Sequence, residues 1–448
     1  MEKRYDLVVI GTGVAATTVA SRVRQAGWSV AIVDFRPFGG TCVLRGCDPK
    51  KVLMSGAQAV TAVEHMRGHG VAGDVSVRWP ELMAFKRTFT DPIPAQRAKT
   101  FAEEGIEAYR GHARFIGNNV LDVEGTPIEA RHVLLAVGAE PVRLGVPGEE
   151  YLITNEEFLS LERIPGRVAF VGGGYIAAEF SNIAARAGAR VTVLQKGPRM
   201  LTGFDPDLVG WLMESFAAAG IEVRTGATVG AIERSGTAFR VRISGSGTSE
   251  TIAADLVVHA AGRVPALAGL DLAKANIAVK QGRLELNESL QSVSNPAVYA
   301  AGDAAQRGPP LTPIASYDAE IVADNLLENA GRKASYLAVP SVAFTLPPIA
   351  GVGMSEQQAK AGGSRFRVHC NRTSGWYTAR RLAEPVYGYK VLIEEQTDRI
   401  LGAHLVGPDA EETINLFALA IRHGLTAADL KAMIFTYPTA ASDIPHML

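Results

Sequence analysis

Tyr5-Asp6-Leu7-Val8-Val9-Ile10-Gly11-Thr12-Gly13-Val14-Ala15-Ala16 is the stretch on which the fold turns. Its first half is a short apolar run rich in β-branched residues, the pattern of a buried strand. It runs into Gly-x-Gly-x-x-Ala and a helical stretch to about Gln25, and a second strand, Ser29 to Val33, ends at Asp34. Gly11 permits the tight turn and Gly13 lets the backbone approach a pyrophosphate at the helix N-terminus. Ala16 allows close helix–sheet packing, and Asp34 can bond a ribose hydroxyl. An ordinary βα turn would explain the glycines alone. Strand, helix and acid in register point to a dinucleotide site.

The pattern recurs. Arg167 to Val171 reads as a strand, followed by Gly172-Gly173-Gly174-Tyr175-Ile176-Ala177 and a helix to about Ala187. The next strand, Val191 to Leu194, is followed by Gln195 rather than an acid, then Lys196 and Arg199. Without a carboxylate a free 2′-hydroxyl loses its partner, whereas nearby cations suit a 2′-phosphate, so NADPH is favoured and NADH remains possible. Lys196 and Arg199 also fit a solvated loop edge. Two such sites in one chain call for a flavin dinucleotide and a nicotinamide.

The rest of the composition excludes other classes. The chain has 448 residues, enough for two to three domains with their own cores. Lys+Arg number 45 and Asp+Glu 46, so there is no electrostatic footprint for nucleic acid or an anionic membrane. Three cysteines cannot staple a chain of this size. The opening segment enters a strand at once, leaving no room for a signal peptide, and no apolar run reaches the ~18 residues of a membrane helix. A soluble cytoplasmic protein is expected.

Two cysteines lie in Gly39-Gly40-Thr41-Cys42-Val43-Leu44-Arg45-Gly46-Cys47-Asp48-Pro49-Lys50-Lys51, directly after the first ribose-binding acid, and helical periodicity follows to about Arg67. A C-x4-C spacing on one helical turn places two sulfurs on one face, near enough to pair. A metal site would need further His or Cys ligands that no cluster supplies, so none is expected. A pair of buried structural thiols is the other reading of the spacing.

Together these residues resemble the redox-disulfide segment of class I pyridine nucleotide–disulfide oxidoreductases, the family of glutathione reductase, dihydrolipoamide dehydrogenase and mercuric reductase. The resemblance runs the length of the chain. His132 to Pro141 resembles the family's crossover segment, with Gly138, and Ala261-Gly262-Arg263-Val264-Pro265 its return. Tyr299-Ala300-Ala301-Gly302-Asp303 resembles the second flavin fingerprint, and Leu311-Thr312-Pro313 the segment beneath the isoalloxazine. Pro340 to Gly353 resembles the start of the dimerisation domain. The implied fold is α/β: two Rossmann-like dinucleotide-binding domains and a C-terminal α+β dimerisation domain. An FAD domain would occupy 1–149 and 264–331, an NAD(P)H domain 150–263 and an interface domain 332–448, with two chains forming a homodimer.

The resemblance implies electron flow from NADPH through FAD to a Cys42–Cys47 disulfide. Cys47 would lie nearer the flavin and Cys42 would meet the acceptor, with Gly40 and Thr41 in the flavin site. Lys50 resembles the family lysine near flavin N5, Glu179 its salt-bridge partner, and Tyr175 the ring that gates the nicotinamide pocket. The departure comes at the C-terminus, Phe435-Thr436-Tyr437-Pro438-Thr439-Ala440-Ala441-Ser442-Asp443. There the family's disulfide reductases carry a His general acid oriented by a Glu. Tyr437 stands where His is expected and Ser442 where Glu is expected. A phenol of reference pKa ~10 can donate a hydrogen bond but cannot shuttle protons near pH 7. His446 is close in sequence but out of register.

Mercuric reductase is the branch that places a tyrosine there, yet it also carries a C-terminal cysteine pair. This chain has no cysteine after Cys370, which reads as a buried small hydrophobe. The leading reading is an enzyme whose dithiol reduces a disulfide, metal ion or other thiol-reactive small acceptor. The alternatives are direct flavin chemistry of the quinone reductase, diaphorase or transhydrogenase kind, and a non-enzymatic flavin-binding sensor.

Overall fold

The computed structural model describes residues 3–245 and 248–448, so Met1, Glu2, Ser246 and Gly247, including the first residues of the opening segment, lie outside the described residues. The chain groups into two units, Met1–Lys51 with Ala84–Val142 and Gly262–Ser335, and Val52–Met83 with Arg143–Ala261 and Tyr336–Leu448.

In the first unit, strand Lys3–Ile10 pairs in parallel with Val30–Asp34 on one side and Thr126–Leu135 on the other. Glu107–Arg110 extends one edge, and Val298–Ala300 joins the far end of Thr126–Leu135. Val120–Val123 and Ala113–Phe115 continue antiparallel from its near end. Leu7, Val8 and Val9 are fully buried, because a parallel sheet is covered on both faces; this is why the run is apolar without alternation. Helix Val14–Gln25 turns its small buried residues Ala15, Ala16, Val19 and Ala20 inward and packs against helix Thr312–Glu328. Arg22 clamps the pair by bonding Glu320 and Asp324, one turn apart on the second helix.

Two glycines fix where the site forms. Gly11 sits at φ +110°, and a Cβ there would lie 2.3 Å from the Ala136 carbonyl oxygen. Gly40, at φ +71°, would bring a Cβ to 2.3 Å from the Gly13 Cα. The cysteine-bearing segment is thus pressed backbone to backbone onto the dinucleotide turn.

In the second unit, Ile221–Thr225, Arg190–Gln195, Arg167–Val171 and Leu256–His259 form a parallel sheet in that order. Thr228–Ser235, Ala238–Gly245 and Thr248–Ala254 make an antiparallel ribbon. The C-terminal part is a five-stranded antiparallel sheet ordered Ser341–Ala343, Ile349–Gly353, Ile400–Val406, Gly388–Glu394, Phe366–Arg372, with helix Ala410–His423 packed on it. This is the expected α/β class with two dinucleotide-type sheets and an α+β C-terminal part. Cys370 corrects an expectation: it is exposed, not buried, because Phe366–Arg372 is the sheet's edge strand. Among the described residues no helix is long and apolar enough to cross a membrane.

Within this unit Glu384 is buried, accepts a bond from the Val386 amide at 2.9 Å and lies 3.6 Å from His65 Nδ1. Burial pushes its carboxyl up to about 7, only partly offset by that amide and by the charge of Arg186. Its folded-state pKa lies above the unfolded value, so the folded chain holds a proton the unfolded chain has lost, and stability falls as pH rises through that window. Glu384→Gln is therefore expected to raise the thermal midpoint at pH 8, by the equivalent of up to about 3 kcal/mol, and to change it little at pH 5. An equal shift at both pH values would contradict this. Gly40→Ala is expected to lose bound flavin. Gly27→Ala, at φ +93° with nothing within 4 Å of its Cβ, should retain it at a cost of about 1–2 kcal/mol. Equal flavin content in the two purified variants would refute the backbone contact.

Candidate functional site

The first dinucleotide turn is held by a hydroxyl that sequence reasoning passed over. Thr12, at the x position between Gly11 and Gly13, is buried; its Oγ1 donates to Asp34 Oδ2 at 2.6 Å and accepts from the Gly39 amide at 3.1 Å. One side chain therefore joins the turn, the ribose-type acid and the cysteine segment. The only signal was a hydroxyl residue at a nominally variable position. Asp34 also accepts from the Arg36 amide, so its carboxylate is oriented before any ligand arrives. Gly13 opens helix Val14–Gln25 with no side-chain cap, leaving first-turn N–H groups for an anion, and Ala16 is fully buried against the sheet. This donor set fits a flavin dinucleotide's pyrophosphate and ribose.

Gly302 lies at φ +65°, and its amide donates to the fully buried Asp318. Burial raises the neighbouring Asp303 carboxyl, with Arg263 pulling the other way. Gly138 and Gly262 flank the crossover strands Ala139–Pro141 and Arg263–Pro265, where Gly138 O accepts from Ala266 N and Gly262 O from Val142 N.

The cysteines do not share one continuous helical turn. Cys42 lies in helix Gly40–Arg45, the chain breaks at Gly46, and Cys47 opens helix Cys47–Met66. The break occurs at a glycine because a Cβ there would sit 3.0 Å from Thr41 O. The sulfurs nonetheless meet. Thr312 Oγ1 donates to Cys42 Sγ at 3.2 Å and lies 3.4 Å from Cys47 Sγ. The Cys47 sulfur, and then burial, push the Cys42 thiol well above the usual range. Lys50 stands one turn into the Cys47 helix.

In the second unit Gly172 is at φ +113°, its Cβ position 2.2 Å from Ala260 O, and Gly174 opens helix Tyr175–Arg186 with no side-chain cap. Ala177 is fully buried. The turn again suits a pyrophosphate. Gln195 lies over it: a Cβ on Gly173 would be 2.9 Å from Gln195 Oε1. Lys196 is exposed, whereas Arg199 directs its guanidinium to the carbonyls of Leu201, Thr202 and Phe204. Glu179 is buried and accepts from the Phe344 amide at 2.9 Å.

At the C-terminus Tyr437 is 75% exposed, its ring 6.3 Å from that of Tyr377. Ser442 donates its hydroxyl to Thr439 O at 2.6 Å and closes a reciprocal cap with Thr439, so it is a local cap where an orienting acid was expected. His446 is exposed and packs its ring against Trp376. No group of three or more His, Cys, Asp or Glu able to hold a metal occurs among the described residues.

Known proteins resemble this chain along its length. A glutathione reductase from Burkholderia cepacia is 33% identical over 98% of this chain and 97% of its own length. A mercuric reductase from Staphylococcus aureus is 33% identical over 98% of this chain and 81% of its own. Among solved structures, the Cu(II) complex of the HOCl-induced flavoprotein disulfide reductase RclA from Escherichia coli superposes with a TM-score of 0.89 at 28% identity, covering 100% of this chain and 99% of that one. The pyridine nucleotide-disulphide oxidoreductase model matches residues 5–319 and the dimerisation-domain model of the same family residues 339–448. The chain therefore belongs to the pyridine nucleotide-disulphide oxidoreductase family, as an FAD-dependent NAD(P)H oxidoreductase with a redox-active cysteine pair.

Proposed function

We propose that this enzyme takes electrons from NADPH and delivers them through Cys42 and Cys47 to a small thiophilic acceptor, either a disulfide, a metal ion or another thiol-reactive compound. The observation that carries this reading is the Thr312 hydroxyl lying 3.2 Å from one sulfur and 3.4 Å from the other, in the unit that holds the Thr12–Asp34 turn. The division proposed is FAD on 1–149 and 264–331, NAD(P)H on 150–263 and a dimer interface on 332–448. A homodimer working in the cytoplasm is part of the same proposal.

When bound, FAD supplies the two-electron relay between pyridine nucleotide and sulfur. The protein's residues do the rest. Two electrons and one proton open the Cys42–Cys47 bond to one thiol and one thiolate. Cys42, whose thiol is pushed up, keeps the proton. Cys47 carries the charge at the first turn of its helix, where the aligned peptide dipoles favour an anion. Thr312 donates a hydrogen bond to the pair. Lys50 is assigned to the charge developing beside it, and Tyr175 to gating the nicotinamide. Asp34, Asp303, Gly302 and Gly138 are assigned to flavin, and Gln195 with Lys196 to the 2′-phosphate. Tyr437 is assigned to contact the acceptor, in place of a histidine acid.

The acceptor classes rest on the cysteine pair and on the range of the relatives, whose names cover glutathione and mercuric reductases and a Cu(II) complex. Cys47→Ser is expected to abolish the long-wavelength absorption of the NADPH-reduced protein and to lower turnover with disulfide and metal-ion acceptors by orders of magnitude. Retention of that band would displace Cys47 from the proximal position. Unchanged turnover in Cys42→Ala would select direct flavin chemistry instead. Gln195→Glu sets a carboxylate against a 2′-phosphate and should cut the NADPH-to-NADH ratio of kcat/KM by about tenfold or more; an unchanged ratio would remove Gln195 from coenzyme selection.

A further inference from the structure

Tyr175 leans on residues 199–205, a loop fastened at both ends. At its start, Arg199 Nη1 donates to Leu201 O at 3.2 Å and Phe204 O at 3.0 Å, and Nη2 to Thr202 O at 2.9 Å. The Leu201 amide donates to Gly173 O at 2.8 Å, tying the loop to the dinucleotide turn. At its end, Asp205 caps helix Pro206–Ala218 through the amides of Asp207 and Leu208. Its other oxygen lies 2.9 Å from Nζ of Lys390, a residue only 2% exposed. Burial alone would lower the Lys390 ammonium, but its bonds to Asp207 and Asp205 hold it above the usual range, so the tether stays charged. What this loop presents is one ring. Phe204 is 5% exposed, and its edge meets the 38% exposed Tyr175 with centroids 5.5 Å apart and planes at 64°.

A fixed, buried ring behind a half-exposed one is a stop. We propose that Phe204 is a positioning residue for Tyr175, holding the phenol ring in its resting place beside the dinucleotide turn, and that Arg199 braces this stop instead of binding the coenzyme 2′-phosphate. The inference rests on the reading of Tyr175 as the nicotinamide gate. Pyridine nucleotide then binds against the edge-to-face contact, and an aromatic pair of this kind is worth about two- to tenfold in an equilibrium. The adenine end of the coenzyme does not meet the ring and is indifferent to it.

The test uses the oxidised holoenzyme and calorimetric titration with NADP⁺ and with 2′,5′-ADP, which lacks the nicotinamide. Phe204→Leu keeps an apolar side chain in the buried position. It is expected to tighten NADP⁺ about two- to tenfold and to leave 2′,5′-ADP unchanged, and the effect should vanish in a Tyr175→Ala background. Unchanged or weaker NADP⁺ binding, an equal shift for both ligands, or the same shift without Tyr175 would overturn the assignment. If the leucine variant loses flavin, Phe204→Met gives the same readout. Tyr175→Ala leaving NADP⁺ affinity untouched would instead remove the gate itself. Arg199→Met should change NADP⁺ and NAD⁺ affinities by one common factor; a loss confined to NADP⁺ would make Arg199 a phosphate ligand and overturn the brace.

Discussion

Everything at the redox centre depends on one contact, the backbone of Gly40 lying against the backbone of Gly13 with no room between them for a Cβ. That contact places the cysteine segment on the dinucleotide turn and not merely near it in sequence. Thr12 then locks the arrangement, bonding Asp34 on one side and the Gly39 amide on the other. A methyl group at Gly40 would meet main chain, which cannot swing aside as a flexible side chain can. The constraint is steric and local, yet it sets where the cysteine segment stands against the dinucleotide turn.

From there the geometry divides the labour between two sulfurs. The helix break at Gly46 puts Cys42 in a short, partly buried helix and Cys47 at the head of a long one. Their environments differ accordingly. The Cys42 thiol is pushed above its usual range by its neighbour and by burial, while Cys47 sits where peptide dipoles favour charge. The hydroxyl of Thr312, brought in by the N-terminus of a helix far along the chain, completes the pair.

The two dinucleotide turns, the acid Asp34 of the first and the cysteine pair were legible in the sequence because each depends on short-range chemistry: φ above zero, small residues, a fixed spacing. The parts that were not legible depend on partners distant in sequence. Nothing about Thr12 distinguishes it until Gly39 folds back onto it. Cys370 is exposed only because its strand ends up at the sheet edge. Arg199 looks like a phosphate ligand from composition, and only the loop carbonyls reveal its engagement. Ser442, aligned with an expected acid, turns out to close a cap, which leaves Tyr437 beside Tyr377 without that orienting group.

The central claim is that pyridine nucleotide reduces a Cys42–Cys47 disulfide. The most direct measurement counts thiols in the anaerobic protein, denatured before and after one equivalent of NADPH. The chain has three cysteines, so the oxidised enzyme should show one thiol, Cys370, and the reduced enzyme three. A count that does not rise on reduction would contradict the account, because electrons would then leave without passing through the pair.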